Sequence, residues 1–354
     1  MTTMSTRSSL RAVVAVPLKE EHCRLIERLE PRLELVRDPS LTHPMRGPAD
    51  WSGDPDHERT AEQQRAFDEM VDSAEALFGI PDVDPAALAR TVAANPRLRW
   101  VMTTAAGGGG QVKAAGLDRE ALDRVTFTTS AGVHGGPLAE FAVFGVMAGA
   151  KGLPRLARDQ AEKHWSERWE MRQVDEMTVL VVGLGGIGAE CARRFHALGA
   201  EVWGTTRSGA PVEGVDRLVP LDELVSAVAE VDAIVVTLPG TDQTHHLIGA
   251  DVLAAVKPGA ILASVGRGTV IDEDALLAAL EDGRVSFAAL DVFEVEPLPQ
   301  DSPLWRHPSV LVSAHTAALS SKEEERIARR FAENATRLID GEPMRAVVDT
   351  VEFY

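Results

Sequence analysis

Residues 177–190 read MTVLVVGLGGIGAE, and a helical pattern follows over 187–198. An unbroken apolar run of this length is the signature of a strand buried on both sheet faces. It ends in Gly183-x-Gly185-x-x-Gly188, where the first glycine allows a tight turn and the second lets the backbone approach a pyrophosphate. The third lets helix and strand pack closely, so that helix N-terminal amides point at phosphate oxygens. Strand, turn and helix are all present, so the stretch reads as a dinucleotide-binding turn rather than a bare bend.

Around it the same alternation repeats. Apolar runs at 200–205, 233–239, 260–265, 286–292 and 310–314 alternate with helical patterns at 221–229, 247–255 and 273–281, giving a doubly wound sheet of five or six strands. A second α/β series precedes it. RAVVAV (11–16), LELV (33–36), ALFGI (76–80) and LRWVM (98–102) are its strands, with helices after 20, over 60–74 and over 84–94. Residues 136–172 form a mixed helical stretch between the series, and an amphipathic helix near 320–340 closes the chain. The expected fold is α/β, with two doubly wound parallel-sheet domains, one Rossmann-type and one flavodoxin-like. The substrate domain is expected over 1–130 completed by 318–354, and the dinucleotide-binding domain over 131–317.

Composition narrows the functional classes. The 354 residues carry 54 acidic and 36 basic side chains, a formal net charge of −18, which disfavours nucleic acid or an anionic lipid surface as partner. Hydrophobic residues make up 45% of the chain, yet no run reaches the roughly 20 residues that span a bilayer. The N-terminal MTTMSTRSSLRAVVAVPLKEEH is cut off by Lys19, Glu20 and Glu21, so neither signal peptide nor anchor is expected, and residues 1–10 read as a loose polar tail. Cys23 and Cys191 form no disulfide framework, and no Cys/His spacing suggests a metal site. A cytoplasmic location and a homodimer are the expectations.

Three downstream segments carry polar residues at strand ends. SVGRGTVIDEDAL sets Arg267 in a Gly-Arg-Gly turn, DVFEVEPLP contains Glu296, and LWRHPSVLVSAHTA ends its strand at His315. In an open parallel sheet these positions fall on the edge that binds ligands. An ionised carboxylate beside an imidazole favours its protonated form, suiting the pair to general acid/base work. An arginine offers a planar fork for a carboxylate.

With these segments in their order, the chain resembles the D-isomer-specific 2-hydroxyacid dehydrogenase family from about Leu98 to Ala318, with TLPGTDQTHHLIG (237–249) as a further block. The resemblance implies Arg267, Glu296 and His315 as the catalytic set, with a buried Arg267 also holding the substrate carboxylate beside the main chain of Ala106 and Gly107. It implies a cofactor site of Gly183, Gly185, Gly186, Ile187, Gly188, Thr206, Arg207, Leu238, Pro239, Thr244, Val265, Gly266 and Asp291. It also implies an active site in an interdomain cleft, and a 2-keto acid or D-2-hydroxy acid of the glyoxylate, hydroxypyruvate or pyruvate kind as substrate. The competing reading on the same scaffold is a non-catalytic dinucleotide sensor, which is expected to carry longer partner-binding tails.

Departures from the family pattern matter. The second strand ends in Gly204-Thr205-Thr206-Arg207-Ser208 with no carboxylate for the adenosine ribose, and Glu201 stands at the wrong end. NADP(H) is therefore expected over NAD(H), with Arg207 facing a 2′-phosphate. Ala314 replaces the family's proline before the histidine. A regulatory domain of the kind the long phosphoglycerate dehydrogenases carry is not expected after Tyr354, and Glu296, where the formate dehydrogenase branch has Gln, argues against that branch.

Four further features leave two readings each. Gly107–Gly110 is either a carboxylate cradle or a flexible loop, and His134 in SAGVHGGPLAEF is structural rather than catalytic. His245 and His246 lack metal-ligand company and read as surface residues. The Pro-rich stretch 39–59 reads as a long loop whose Trp51 either covers the substrate side chain or packs on its own domain or a dimer interface.

Overall fold

A computed structural model describes residues 9–353. The expected tail at 1–10 lies almost wholly outside that range. The chain divides into two compact units, Met1–His134 with Leu319–Tyr354, and Gly135–Ala318.

The first unit holds β1 (Leu10–Val14), α1 (Glu20–Leu29), β2 (Leu33–Val36), α2 (Ala61–Asp72), β3 (Ala76–Phe78), α3 (Pro85–Ala94), β4 (Trp100–Met102), α4 (Gly109–Ala114), α5 (Arg119–Arg124) and β5 (Thr126–Thr128). All strands are parallel, in the order β2-β1-β3-β4-β5. Side chains alternate across a strand, so Ala12, Val14, Phe78, Trp100 and Met102 meet α1 on one face. Val13, Leu77, Val101 and Phe127 meet α2 and α3 on the other. Both faces being covered explains why the inner strands β3 and β4 are unbroken apolar runs, while edge strand β2 exposes Glu34.

The C-terminal helix, Glu323–Asp340, belongs to this unit. Ile327, Ala328, Phe331, Ala332 and Ala335 form its buried stripe, at the spacing of a helix that buries one face. Phe331 stacks on Trp100 with centroids 4.5 Å apart, and Gly341, at φ +73°, ends the helix in the left-handed conformation common after helix C-termini. His134 bonds Glu323 at 2.8 Å in the same interior, a structural tie.

The stretch 39–59 is not an open loop. It starts with a 3₁₀ turn at Pro39–Leu41 capped by Asp38. It ends at Arg59, whose guanidinium bonds Asp82 at 2.6 Å and lies 3.8 Å over the Phe67 ring. Trp51 is buried and tilted against Phe78 at 5.9 Å. The tryptophan packs on its own unit, because an indole gains more from core contact than from solvent.

The second unit holds α6 (Gly135–Ala150), α7 (Leu153–Ala161), β6 (Thr178–Val182), α8 (Gly186–Ala197), β7 (Glu201–Thr205), β8 (Arg217–Leu218), α9 (Leu224–Val228), β9 (Ala233–Val236), α10 (Ala250–Ala255), β10 (Ala260–Ser264), α11 (Glu273–Glu281), β11 (Val285–Leu290) and β12 (Val310–Val312). Its sheet has seven parallel strands, in the order β12-β11-β10-β9-β6-β7-β8. That is one more than expected, because β8 is a two-residue edge strand with no apolar run. Leu180, Val182, Ile234, Val236, Leu262 and Leu290 face α9, α10 and α11. Val179, Val181, Val235, Ile261, Ala263 and Ala289 face α6 and α8. Both cysteines are free and buried, and burial pushes Cys23 up to about 11 and Cys191 up to about 12. Among the described residues no helix is long and apolar enough to cross a membrane.

One ion network ties the two ends of the first unit. Arg32 bonds Glu30 and Asp340, each at 2.5 Å, and Thr336 donates to Glu30 at 2.7 Å. Hydrogen bonds from Arg32 first, and from Thr336, hold the Glu30 carboxyl near 2 against its ordinary 4.5. The folded state therefore binds this proton less readily than the unfolded chain. The resulting stabilisation is full above pH 4.5 and drains as pH falls toward 2. Glu30→Gln should lower stability at neutral pH, and the gap to wild type should narrow on acidification below pH 4.5. Urea unfolding of both proteins at pH 7 and at steps from pH 5 down to about 3 checks this, and a gap that stays constant or widens below pH 4.5 refutes it.

Candidate active site

Because every strand of the seven-stranded sheet is parallel, all carboxyl ends lie on one edge. The chain winds from β6 through β7 to β8 on one side, then from β9 to β12 on the other. The crevice between β6 and β9 is the switch point, where open α/β sheets bind ligands.

The glycine turn follows β6. Gly183 has φ +103°, a conformation that only glycine adopts without strain, and its N–H donates to Thr205 Oγ1 at 2.9 Å. A Cβ on Gly188 would stand 2.0 Å from the Gly183 carbonyl oxygen, so α8 starts against the turn itself. Space beside Gly185 is open, and Gly185 and Gly186 are exposed. Gly186 and Ile187 form the first turn of a 12-residue helix, whose leading amides have no partner within the helix. That is the geometry of an anion cradle.

After β7, Thr206 and Ser208 share a hydrogen bond of 3.1 Å and Arg207 is exposed. Glu201, at the far end of the strand, accepts from Trp203 Nε1 at 2.8 Å. After β9, Thr244 Oγ1 donates to the Pro239 carbonyl at 2.7 Å, folding the turn beyond the partly buried Leu238. After β10, buried Val265 donates to Val236 O at 3.0 Å, and Gly266 precedes Arg267.

Asp291, after β11, is buried. Its Oδ1 accepts from Ser313 Oγ at 2.6 Å, Thr316 N at 2.9 Å and Ala317 N at 3.0 Å, and its carbonyl accepts from His315 N at 2.9 Å. Its Oδ2 is buried with no partner, as is Ser264 Oγ on the neighbouring strand. Two orphaned polar atoms at the carboxyl ends of β10 and β11 suit a ligand with polar groups of its own, since unpaired burial costs about 1–3 kcal/mol each. Together with the open glycine turn, they fit a dinucleotide.

His315 stands beyond β12 at φ +50°, uncommon for a residue with a side chain. Its Nδ1 lies 2.7 Å from Glu296 Oε2, while Glu296 Oε1 accepts from Phe293 N at 3.0 Å. A carboxylate only accepts, so Nδ1 carries the shared hydrogen and Nε2 is the nitrogen left to exchange a proton. Glu273 accepts from Glu294 N at 2.7 Å and thereby anchors the same loop. Burial, then repulsion from Glu294, pushes the Glu273 carboxyl up.

Arg267 follows β10, so the three residues occupy the ends of adjacent strands. Its guanidinium donates to Gly266 O at 3.0 Å and makes no ion pair among the described residues. The side chain is exposed in this unit rather than buried as expected, because the Gly-Arg-Gly turn projects it off the sheet edge.

In the first unit, Ala106 and Gly107 follow β4 and are exposed, with amides that donate to nothing among the described residues. The glycine run is a tight turn into α4 rather than a slack loop: a Cβ on Gly108 would stand 1.9 Å from Thr103 Oγ1. Sequence reasoning missed Ser313 and Glu273, whose roles carry no local signal. It also missed a partner for the paired histidines, since Glu294 lies 2.7 Å from His246.

The model of the D-isomer specific 2-hydroxyacid dehydrogenase NAD binding domain matches residues 143–317. A glyoxylate reductase of Korarchaeum cryptofilum is 34% identical over 233 residues, covering 63% of this chain and 69% of that protein. A glyoxylate/hydroxypyruvate reductase B of Yersinia enterocolitica is 36% identical over 205 residues, covering 55% of this chain and 62% of the relative, less than two thirds of its length. A D-isomer specific 2-hydroxyacid dehydrogenase of Xanthobacter autotrophicus Py2, solved with NADPH and MES, is 30% identical with a TM-score of 0.75, covering 98% of this chain and 100% of that one. The chain belongs to the D-isomer specific 2-hydroxyacid dehydrogenase family.

Proposed function

We propose that this chain is an NAD(P)H-dependent reductase of small 2-keto acids, of the glyoxylate, hydroxypyruvate or pyruvate kind, yielding the D-2-hydroxy acid. The observation that carries the proposal is the 2.7 Å His315–Glu296 pair on the strand-end edge that also bears Arg267 and the glycine turn. The reductase relatives and the NADPH-bound neighbour support it. In this reading residues 131–317 hold the cofactor, and residues 1–130 with 318–354 hold the substrate. The enzyme works in the cytoplasm, where its two buried thiols stay reduced.

The bound nicotinamide supplies a hydride to the carbonyl carbon. His315 gives a proton from Nε2 to the carbonyl oxygen as that oxygen gains charge, and takes it back in the oxidative direction. Glu296 holds the ring in one tautomer and balances the imidazolium. Arg267 grips the substrate carboxylate and polarises the carbonyl, and its exposed fork has no competing carboxylate among the described residues. Within the first unit, the exposed amides of Ala106 and Gly107 offer carboxylate-binding donors.

NADPH is the preferred cofactor, because the turn after β7 offers Thr206, Arg207 and Ser208 where a ribose-binding carboxylate would otherwise stand. The active species is a homodimer. Trp165 is 98% exposed on a segment fastened by Lys151 and Arg172, and Phe144 and Met147 are exposed on nearby α6. An indole held in water on an ordered segment suits burial by a second copy.

Three measurements test this. His315→Ala should cut kcat by about 10²–10⁴-fold with cofactor binding intact, and Arg267→Ala should raise KM and lower kcat together. Near-wild-type turnover of glyoxylate, hydroxypyruvate and pyruvate by His315→Ala overturns the catalytic assignment. Arg207→Ala should depress kcat/KM for NADPH far more than for NADH, and equal losses would remove the 2′-phosphate role. Light scattering should return twice the 38.1 kDa chain mass, falling toward one chain in Trp165→Glu. A monomeric wild type refutes the dimer.

A further inference from the structure

Beyond the reductase site, we infer that His245, His246 and Glu294 form a binding site for a borderline divalent transition ion of the zinc class. Their ligand atoms all lie within 4.8 Å of one another. Consecutive side chains normally diverge, but His246 sits at φ +50° and brings its ring beside that of His245, with centroids 4.0 Å apart and planes 26° from parallel. A β-carbon-bearing residue in this conformation is uncommon. The backbone holds it there: His246 N donates to Thr269 O at 2.9 Å, and Ile248 N to Val270 O at 3.0 Å.

The third group arrives from another strand end. Glu294 is fixed by its N–H bond to Glu273, and its Oε1 lies 2.7 Å from His246 Nε2. The Asp272 carboxylate stands 3.9 Å from the other nitrogen of the same ring, Nδ1. Metal-bound imidazoles commonly face a carboxylate with their free N–H, which fixes the tautomer. With Nε2 on the ion, the Nδ1–H of His246 would face Asp272, which has to close in from 3.9 Å to hydrogen-bond distance, while Glu294 draws back from its 2.7 Å contact to admit the ion. His245 is exposed, so its ring is free to turn and close the third bond. Two imidazoles and one carboxylate make a ligand set suited to Zn²⁺, with bonds of about 2.0–2.2 Å and one position open to water. Mg²⁺ and Ca²⁺ favour all-oxygen shells and are expected to be rejected.

The ion would clip the turn after β9 to the loop after β11. The consequence is stability of that edge, separate from proton transfer at His315. The full-length protein, stripped with EDTA and titrated calorimetrically with ZnCl₂, should bind one ion per chain, with a rise in Tm, and MgCl₂ should give neither. His245→Ala, which removes an exposed side chain, should weaken Zn²⁺ binding by about tenfold or more and abolish the Tm rise. Glu294→Gln should weaken it as well. His315→Ala should leave the affinity unchanged, which separates this site from the His315–Glu296 pair. Wild-type affinity in His245→Ala, or loss of binding in His315→Ala, overturns the assignment.

Discussion

A single buried carboxylate organises the carboxyl edge of the seven-stranded sheet. Asp291 is buried away from water, so its carboxyl oxygens depend on donors supplied by the neighbouring strand end. Ser313, Thr316 and Ala317 supply them to one oxygen, and the His315 amide takes the carbonyl. Four bonds across two strand ends leave the intervening residue little freedom. His315 is held in a left-handed conformation its side chain would not choose, with its ring aimed at Glu296. Strain of this kind persists only where the surroundings over-determine it.

The same economy governs the other loops on that edge. Glu273 fastens the backbone of Glu294, and Glu296 accepts from Phe293, so the segment carrying the acid is tied at both ends. Thr244 and Thr237 close the turns beside the glycine motif with hydroxyl-to-carbonyl bonds. Glu296 and Thr244 fasten their own loop and turn, whereas Glu273 and Thr237 reach across to a different loop or turn.

Electrostatics set a second constraint. A chain with net charge −18 repels an anionic substrate and a polyphosphate cofactor alike. Local positive character must therefore be concentrated where anions dock. On the sheet edge Arg267 makes no ion pair among the described residues and the leading amides of α8 have no partner within the helix, while many other arginines are taken up in ion pairs such as Arg32–Glu30 and Arg59–Asp82. The first unit is stabilised by those pairs and by the return of the C-terminal helix onto Trp100, so its integrity depends on both ends of the chain.

The strands and the glycine turn were legible because their causes are local. A strand covered on both faces must be continuously apolar, and a turn with a helix pressed against it must be glycine at Gly183 and Gly188. Arg267, Glu296 and His315 were legible through family resemblance, since alone each is an ordinary polar residue. Short elements such as β8 and β5 were invisible, having too few residues to show a period. Tertiary structure alone decided that Trp51 turns inward, that Arg267 is exposed, and that Glu294 meets the histidine pair. It alone showed Asp291 as the hub. These outcomes depend on which distant side chains arrive beside a residue, and contacts between strand ends 20 to 50 positions apart leave no trace in local composition or periodicity.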